Sequence, residues 1–129
     1  MRTKRDNQQW MLDLALNMRG RVQNFERDDP ETPTRAHNYR MLPKMWRKKA
    51  EHDESLAKTA EKNGFKATAL EHYDHAVESY RMAQHPIYFD DNPVKIYLSN
   101  KLKEMVDRRS ALAPYPSERV DVPFDDGTT

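Results

Sequence analysis

Cysteine is absent from the sequence and glycine nearly so, with three in 129 residues: Gly20, Gly64 and Gly127. Without thiols there is no disulfide frame, no thiolate zinc site and no cysteine nucleophile. Glycines this far apart exclude a G-x-S-x-G nucleophile elbow, a Walker loop and a Rossmann fingerprint within the sequence, because those backbones need closely spaced glycines. No apolar run approaches the roughly 20 residues of a membrane span. The polar opening "RDNQQWMLD" leaves no room for the apolar core of a signal peptide, so the expectation is a cytoplasmic protein without membrane contact. An excess of one charge is missing too: 22 Lys and Arg oppose 21 Asp and Glu. The basic clusters "MRTKR" and "WRKK" (46–49) are short and soon followed by acidic residues. The electrostatic case for nucleic acid is thereby removed.

What is present is 36% hydrophobic and 33% charged residues, with two Trp, six Tyr and four Phe spread along the chain. The length suits one core. Apolar content is below that of an average globular domain, yet the aromatics and the balanced charge are unlike a disordered chain. The combination predicts an elongated helical layer, or a domain that completes its burial on something else.

Periodicity supplies the elements. Over 3–27, Trp10, Leu14, Met18, Val22 and Phe25 recur every three or four positions, one stripe of an amphipathic helix, which "RDDPETPT" ends. A short helix is expected over 35–42, closed by Pro43. A long helix follows over 44–62, with Met45, Trp46, Ala50, Leu56, Ala57 and Ala60 on its buried side. Asn63-Gly64 stops it, since Gly takes the left-handed conformation freely. The next helix, 65–84, places Ala69, Tyr73, Ala76, Tyr80 and Ala83 on one face. So short a connection makes the two helices antiparallel neighbours. After the loop "HPIYFDDNPVK", Asp91 or Asn92 caps a further helix over 93–110 and Pro93 suits its first turn. That helix carries Ile96, Tyr97, Leu98, Leu102, Met105 and Val106. "ALAPYPSE" is a linker. Beyond it, Val120, Val122 and Phe124 alternate with Asp121 and Pro123 in the period of a half-buried strand, and Asp125-Asp126-Gly127 offers turn chemistry. A lone strand leaves its backbone donors and acceptors unsatisfied. The fold class is therefore all-α, antiparallel helical hairpins with about four main helices, plus one orphan β-strand at the C-terminal end.

Groups able to do chemistry are few. His72 and His75 sit three apart on the helix over 65–84 and can share a face, with Asp74 or Glu78 as a third metal ligand. The plainer reading makes them polar residues flanking the Tyr73 stripe, and neither a metal nor any other cofactor is assigned. The pairs Asp28-Asp29, Asp90-Asp91 and Asp125-Asp126 lie beside Pro or Gly, where capping and turn formation account for them. No catalytic residue is assigned. Ile87, Tyr88 and Phe89, three bulky apolar residues in a loop, either plug the core or wall a substrate pocket or interdomain contact. Trp46 joins them as a pocket or interdomain candidate.

The order of these features resembles the N-terminal helical region of α/β-hydrolases related to the fungal pigment hydrolases that shorten polyketide chains. Dihydroxypseudooxynicotine hydrolase and the fermentation-respiration switch proteins are similar. The resemblance, over roughly 44–129, rests on Gly64 followed by Ala69, Tyr73, Ala76 and Tyr80, and on Phe89, Asp91, Pro93 and Lys95 as Phe-x-Asp-x-Pro-x-Lys. It closes with Glu118, Arg119, Val120, Val122, Pro123 and Phe124, which in the family opens the hydrolase sheet. It implies a helical cap over 1–112 and, over 113–129, a linker and first strand of an α/β-hydrolase domain. The family's Ser-Asp-His triad and oxyanion hole would lie beyond Thr129. The resemblance also implies a small aromatic or polyketide-like substrate cleaved at a C–C bond or ester in the parent enzyme, and homodimer contacts through the cap. A rival of another class comes from 56–80, which is similar to a tetratricopeptide-like hairpin at Ala57, Gly64, Ala69, Tyr73 and Ala76. That reading makes the protein a peptide-binding adaptor. A single visible unit and the unexplained strand weigh against it, because stacked repeats need about three.

Overall fold

The computed structural model describes residues 10, 11, 13, 14 and 39–123. Three helices make up the main described body: α1 (Leu42–Lys62), α2 (Lys66–Gln84) and α3 (Pro93–Leu112), preceded by a single 3-10 turn, Tyr39–Met41. No strand occurs among the described residues. No helix among them is long and apolar enough to cross a membrane. The helix expected over 3–27 lies outside the described residues except at four positions. There residues 10, 11, 13 and 14 are helical, with Asp13 buried while Trp10 and Leu14 of the expected stripe are exposed.

The first difference from the expected boundaries is at Pro43, which opens a helix instead of closing one. It sits in the first turn of α1, where the missing N–H has no intrahelical partner to lose and the fixed φ is already helical. The 3-10 turn therefore runs directly into α1, so within the helix expected over 35–42 the described residues 39–42 are this turn and the first residue of α1, and 35–38 lie outside the described residues. The other end of α1 follows the sequence. Gly64 has φ +80°, its N–H donates to the Glu61 carbonyl at 3.0 Å, and the Phe65 N–H donates to the Ala60 carbonyl at 2.9 Å. These two bonds are the Schellman pattern, which occupies carbonyls that the last turn would leave unpaired. At the start of α3, Asn92 Oδ1 accepts from the Val94 N–H at 2.9 Å and the Lys95 N–H at 3.4 Å, so Asn92 provides the cap.

Helix α2 is the middle of the body and packs against both α1 and α3. Its Ala69, Tyr73, Ala76, Tyr80 and Ala83 are all fully buried. Small residues let the helices approach closely and the two rings fill the space between, close to the density of an organic crystal. Helix α1 contributes Trp46, Ala50, Ala57 and Ala60 to the same cluster, and α3 contributes Leu98 and Met105. Leu56 does not join them: it is 39% exposed. Asp53, Glu54 and Ala57 hold the inward positions of that turn, and Leu56 is about 100° around the helix from Ala57. On α3 the inward stripe is Leu98, Leu102 and Met105, leaving Ile96, Tyr97 and Val106 exposed. Beyond α3 the chain is irregular, and Val120 and Val122 are 67% and 66% exposed. Arg119 Nη2 lies 3.5 Å from Asp107 Oδ1, drawing the linker alongside α3. Phe124 lies outside the described residues.

Candidate functional site

Two cross-helix contacts fix how α1 and α2 run. Tyr73 Oη donates to Glu61 Oε2 and Tyr80 Oη donates to Glu54 Oε2, each at 2.6 Å. Seven residues forward on α2 thus match seven residues backward on α1, so the pair is antiparallel. The start of α1, the end of α2 and the α2–α3 turn therefore share one end of the body. Arg47, whose guanidinium lies 4.5 Å from the centre of the Tyr97 ring, brings the start of α3 to that end as well.

The sequence-expected site residues separate here. Ile87 is half-buried and packs against the core cluster, and Trp46, 2% exposed, belongs to that cluster. Tyr88 and Phe89 point the other way. They are 86% and 68% exposed, and their rings meet edge to face with centroids 5.3 Å apart. Val94 and Tyr97, three apart on the first turns of α3, are also exposed. The turn beneath is braced: the Ile87 N–H donates to the Gln84 carbonyl at 3.1 Å, the Asn92 N–H donates to the Phe89 carbonyl at 3.2 Å, and Lys95 Nζ donates to Asp90 Oδ1 at 2.5 Å. An anchored turn thus holds two large rings in water, where exposed apolar clusters mark contact surfaces.

A second group lies outside the site residues expected from the sequence. Glu54 is buried between the helices, where its Oε1 accepts from Lys58 Nζ at 2.5 Å and from Lys101 Nζ of α3 at 2.6 Å, while Oε2 accepts from Tyr80. Lys101 also donates to Glu104 at 3.1 Å, and Arg108 donates to Glu104 at 3.3 Å. Burial pushes the Glu54 carboxyl up, but the hydrogen bonds from Lys101, Lys58 and Tyr80 outweigh it and bring it down to about 2. Burial, and then the Glu54 carboxylate, push the Tyr80 phenol up. Both groups stay in one protonation state across the neutral range, so their part in this network is to hold three helices in register. It floors an open groove of about 520 Å³ between α1 and α3, lined in part by Ser55, Thr59, Lys62 and Tyr97.

The histidine pair has a partner other than those the spacing suggested. Asp74 pairs with Arg109 and Glu78 with Arg81. The carboxylate facing the imidazoles comes from α1: Asp53 Oδ1 lies 3.4 Å from His72 Nδ1 and 4.0 Å from His75 Nδ1. A signal for both missed groups was present in the sequence. Asp53 and Glu54 interrupt the stripe Trp46, Ala50, Ala57, Ala60 at an inward position, and a charged residue there must find partners.

No protein-family model, curated protein or solved structure matches this chain.

Proposed function

We propose that the helical body is a cap that seats on the active-site mouth of an α/β-hydrolase domain and presents Tyr88 and Phe89 to the pocket or to the hydrolase surface. The observation that carries this reading is the Tyr88–Phe89 pair itself, held outward on a turn whose neighbour Ile87 is anchored in the core. Two exposed rings are unfavourable in water, and each gains of order 2 kcal/mol when covered. A cap that buries them over a substrate also expels water from the reacting centre, which strengthens oxyanion stabilisation there. Edge-to-face rings suit an aromatic or polyketide-like substrate by shape and stacking. Exposed Val120 and Val122 in the alternating segment support the same reading, since they have the pattern of a strand that takes its partner from a hydrolase sheet.

The test is the protein as the gene encodes it. Its coding sequence is read for a strand followed by G-x-S-x-G, and the purified protein is treated with a fluorophosphonate probe and assayed on a naphthyl ester. The reading expects serine labelling, and a KM raised about fivefold or more by Tyr88→Ala with Phe89→Ala while the melting temperature holds. A coding sequence with no nucleophile elbow, or an unchanged KM in the double variant, overturns it. In that case, capture of an extended peptide along the groove between α1 and α3 would favour the tetratricopeptide-like adaptor.

A further inference from the structure

Asp53 is an acidic residue on the inward face of α1, where an apolar residue would pack more cheaply. It is 8% exposed. Its two oxygens face different groups. Oδ2 lies 4.0 Å from Lys49 Nζ, and Oδ1 faces both His72 and His75 of α2. The imidazoles are nearly perpendicular, with centroids 6.2 Å apart, so they do not stack on each other. Instead, both Nδ1 atoms approach a single carboxylate oxygen from two directions. One ligand atom from each of Asp53, His72 and His75 lies within 4.8 Å of the other two.

Distances decide what such a convergence can hold. Around a tetrahedral zinc ion with ligand bonds of about 2.1 Å, neighbouring ligand atoms are roughly 3.4 Å apart. The Asp53–His72 separation of 3.4 Å already has this value. The Asp53–His75 separation of 4.0 Å is longer by a few tenths of an ångström, and His75, the most exposed of the three, can close that gap by a small rotation. We propose that Asp53, His72 and His75 form a binding site for a late first-row divalent cation, Zn²⁺ foremost, which ties α1 to α2. Two imidazoles and one carboxylate match the borderline character of that ion and disfavour Mg²⁺ or Ca²⁺, which take oxygen ligands. Three protein ligands leave a fourth position on the solvent side, filled by water. Lys49 stays on the far oxygen of Asp53 as an outer partner that orients the carboxylate. Its charge weakens the site without blocking it, because its 4.0 Å approach is to Oδ2 and not to the oxygen that faces the imidazoles. The site is independent of the cap reading and involves none of the residues that carry it.

Tag-free protein is titrated with zinc sulfate by calorimetry, with Co²⁺ as a spectroscopic probe. The expected result is one Zn²⁺ per chain, visible d–d bands of a tetrahedral Co²⁺ site, and affinity at least about tenfold weaker in each of His72→Gln and His75→Gln. His52→Gln, an exposed histidine on α1 one position from Asp53, serves as the control and should leave the affinity unchanged. His75 is exposed, so its replacement keeps the fold, checked by circular dichroism, and the test does not depend on Asp53→Asn remaining folded. Absence of binding at millimolar zinc overturns the proposal. So does an affinity unchanged by either histidine replacement, or one that His52→Gln lowers as much as the other two.

Discussion

Replacing Glu54 by Gln tests the charge network at its centre. The native carboxylate accepts from Lys58, Lys101 and Tyr80 and sits at about 2 in place of its usual 4.5. A group whose folded-state pKa is depressed contributes stability above its unfolded value, and that stability is lost as the pH falls through the folded one. A depression from 4.5 to about 2 corresponds to roughly 3 kcal/mol at pH 7, and about 1 kcal/mol of it remains at pH 3. Gln mimics the protonated carboxyl. Glu54→Gln should therefore lose about 3 kcal/mol at pH 7, a large share of the 5–15 kcal/mol that holds a typical domain together. The gap to the parent should shrink to about 1 kcal/mol at pH 3. The assay is urea unfolding followed by circular dichroism at both pH values, with the slope m compared to confirm that the same surface unfolds. A variant as stable as the parent at pH 7, or a gap that does not narrow in acid, would refute the assignment of Glu54 as the anion that locks the three helices.

Two further outcomes follow from the packing. Tyr73→Ala and Tyr80→Ala should each cost about 3–5 kcal/mol, as large-to-small changes in a close-packed core do, while Tyr88→Ala and Phe89→Ala should stay within about 0.5 kcal/mol; thermal melts of the four variants decide it, and comparable losses in both pairs would make the turn part of the core. Gly64→Ala should cost about 1–2 kcal/mol, because the position has φ +80° with nothing within 4 Å of an added Cβ; the penalty is then conformational alone, and denaturant midpoints that do not move would contradict it.

The parts of the fold legible in the sequence were those set within a single helix. The Ala69, Tyr73, Ala76, Tyr80, Ala83 face and the Asn63-Gly64 stop depend on local periodicity and on glycine's left-handed freedom, and both are found. Pro43 is ambiguous in the sequence because a proline after an apolar pair fits a helix end and a first turn equally well. Leu56 fits the inward stripe by periodicity yet is exposed, because one-helix periodicity tolerates a rotation of one residue and only the rotation of α1 against α2 fixes which side is inward. The cross-helix pairs of the Glu54 network and of the Asp53–His72–His75 convergence join residues 19 to 47 positions apart. Such pairings depend on how helices dock, which hydrophobic pattern alone does not encode. Exposure of Tyr88 against anchoring of Ile87 was likewise invisible, since three consecutive bulky residues in a loop carry no period.

The most direct test of the cap reading is hydroxyl-radical footprinting of the protein as its gene encodes it. Phe65, at the opposite end of the body from the α2–α3 turn and 62% exposed, is the internal reference. In the helical body alone, Tyr88 is the more exposed of the two, at 86%. If the body is seated as a cap, Tyr88 and Phe89 should be oxidised several-fold more slowly than Phe65. Oxidation of Tyr88 and Phe89 at least as fast as that of Phe65 would mean that the rings face open water, and would contradict the account.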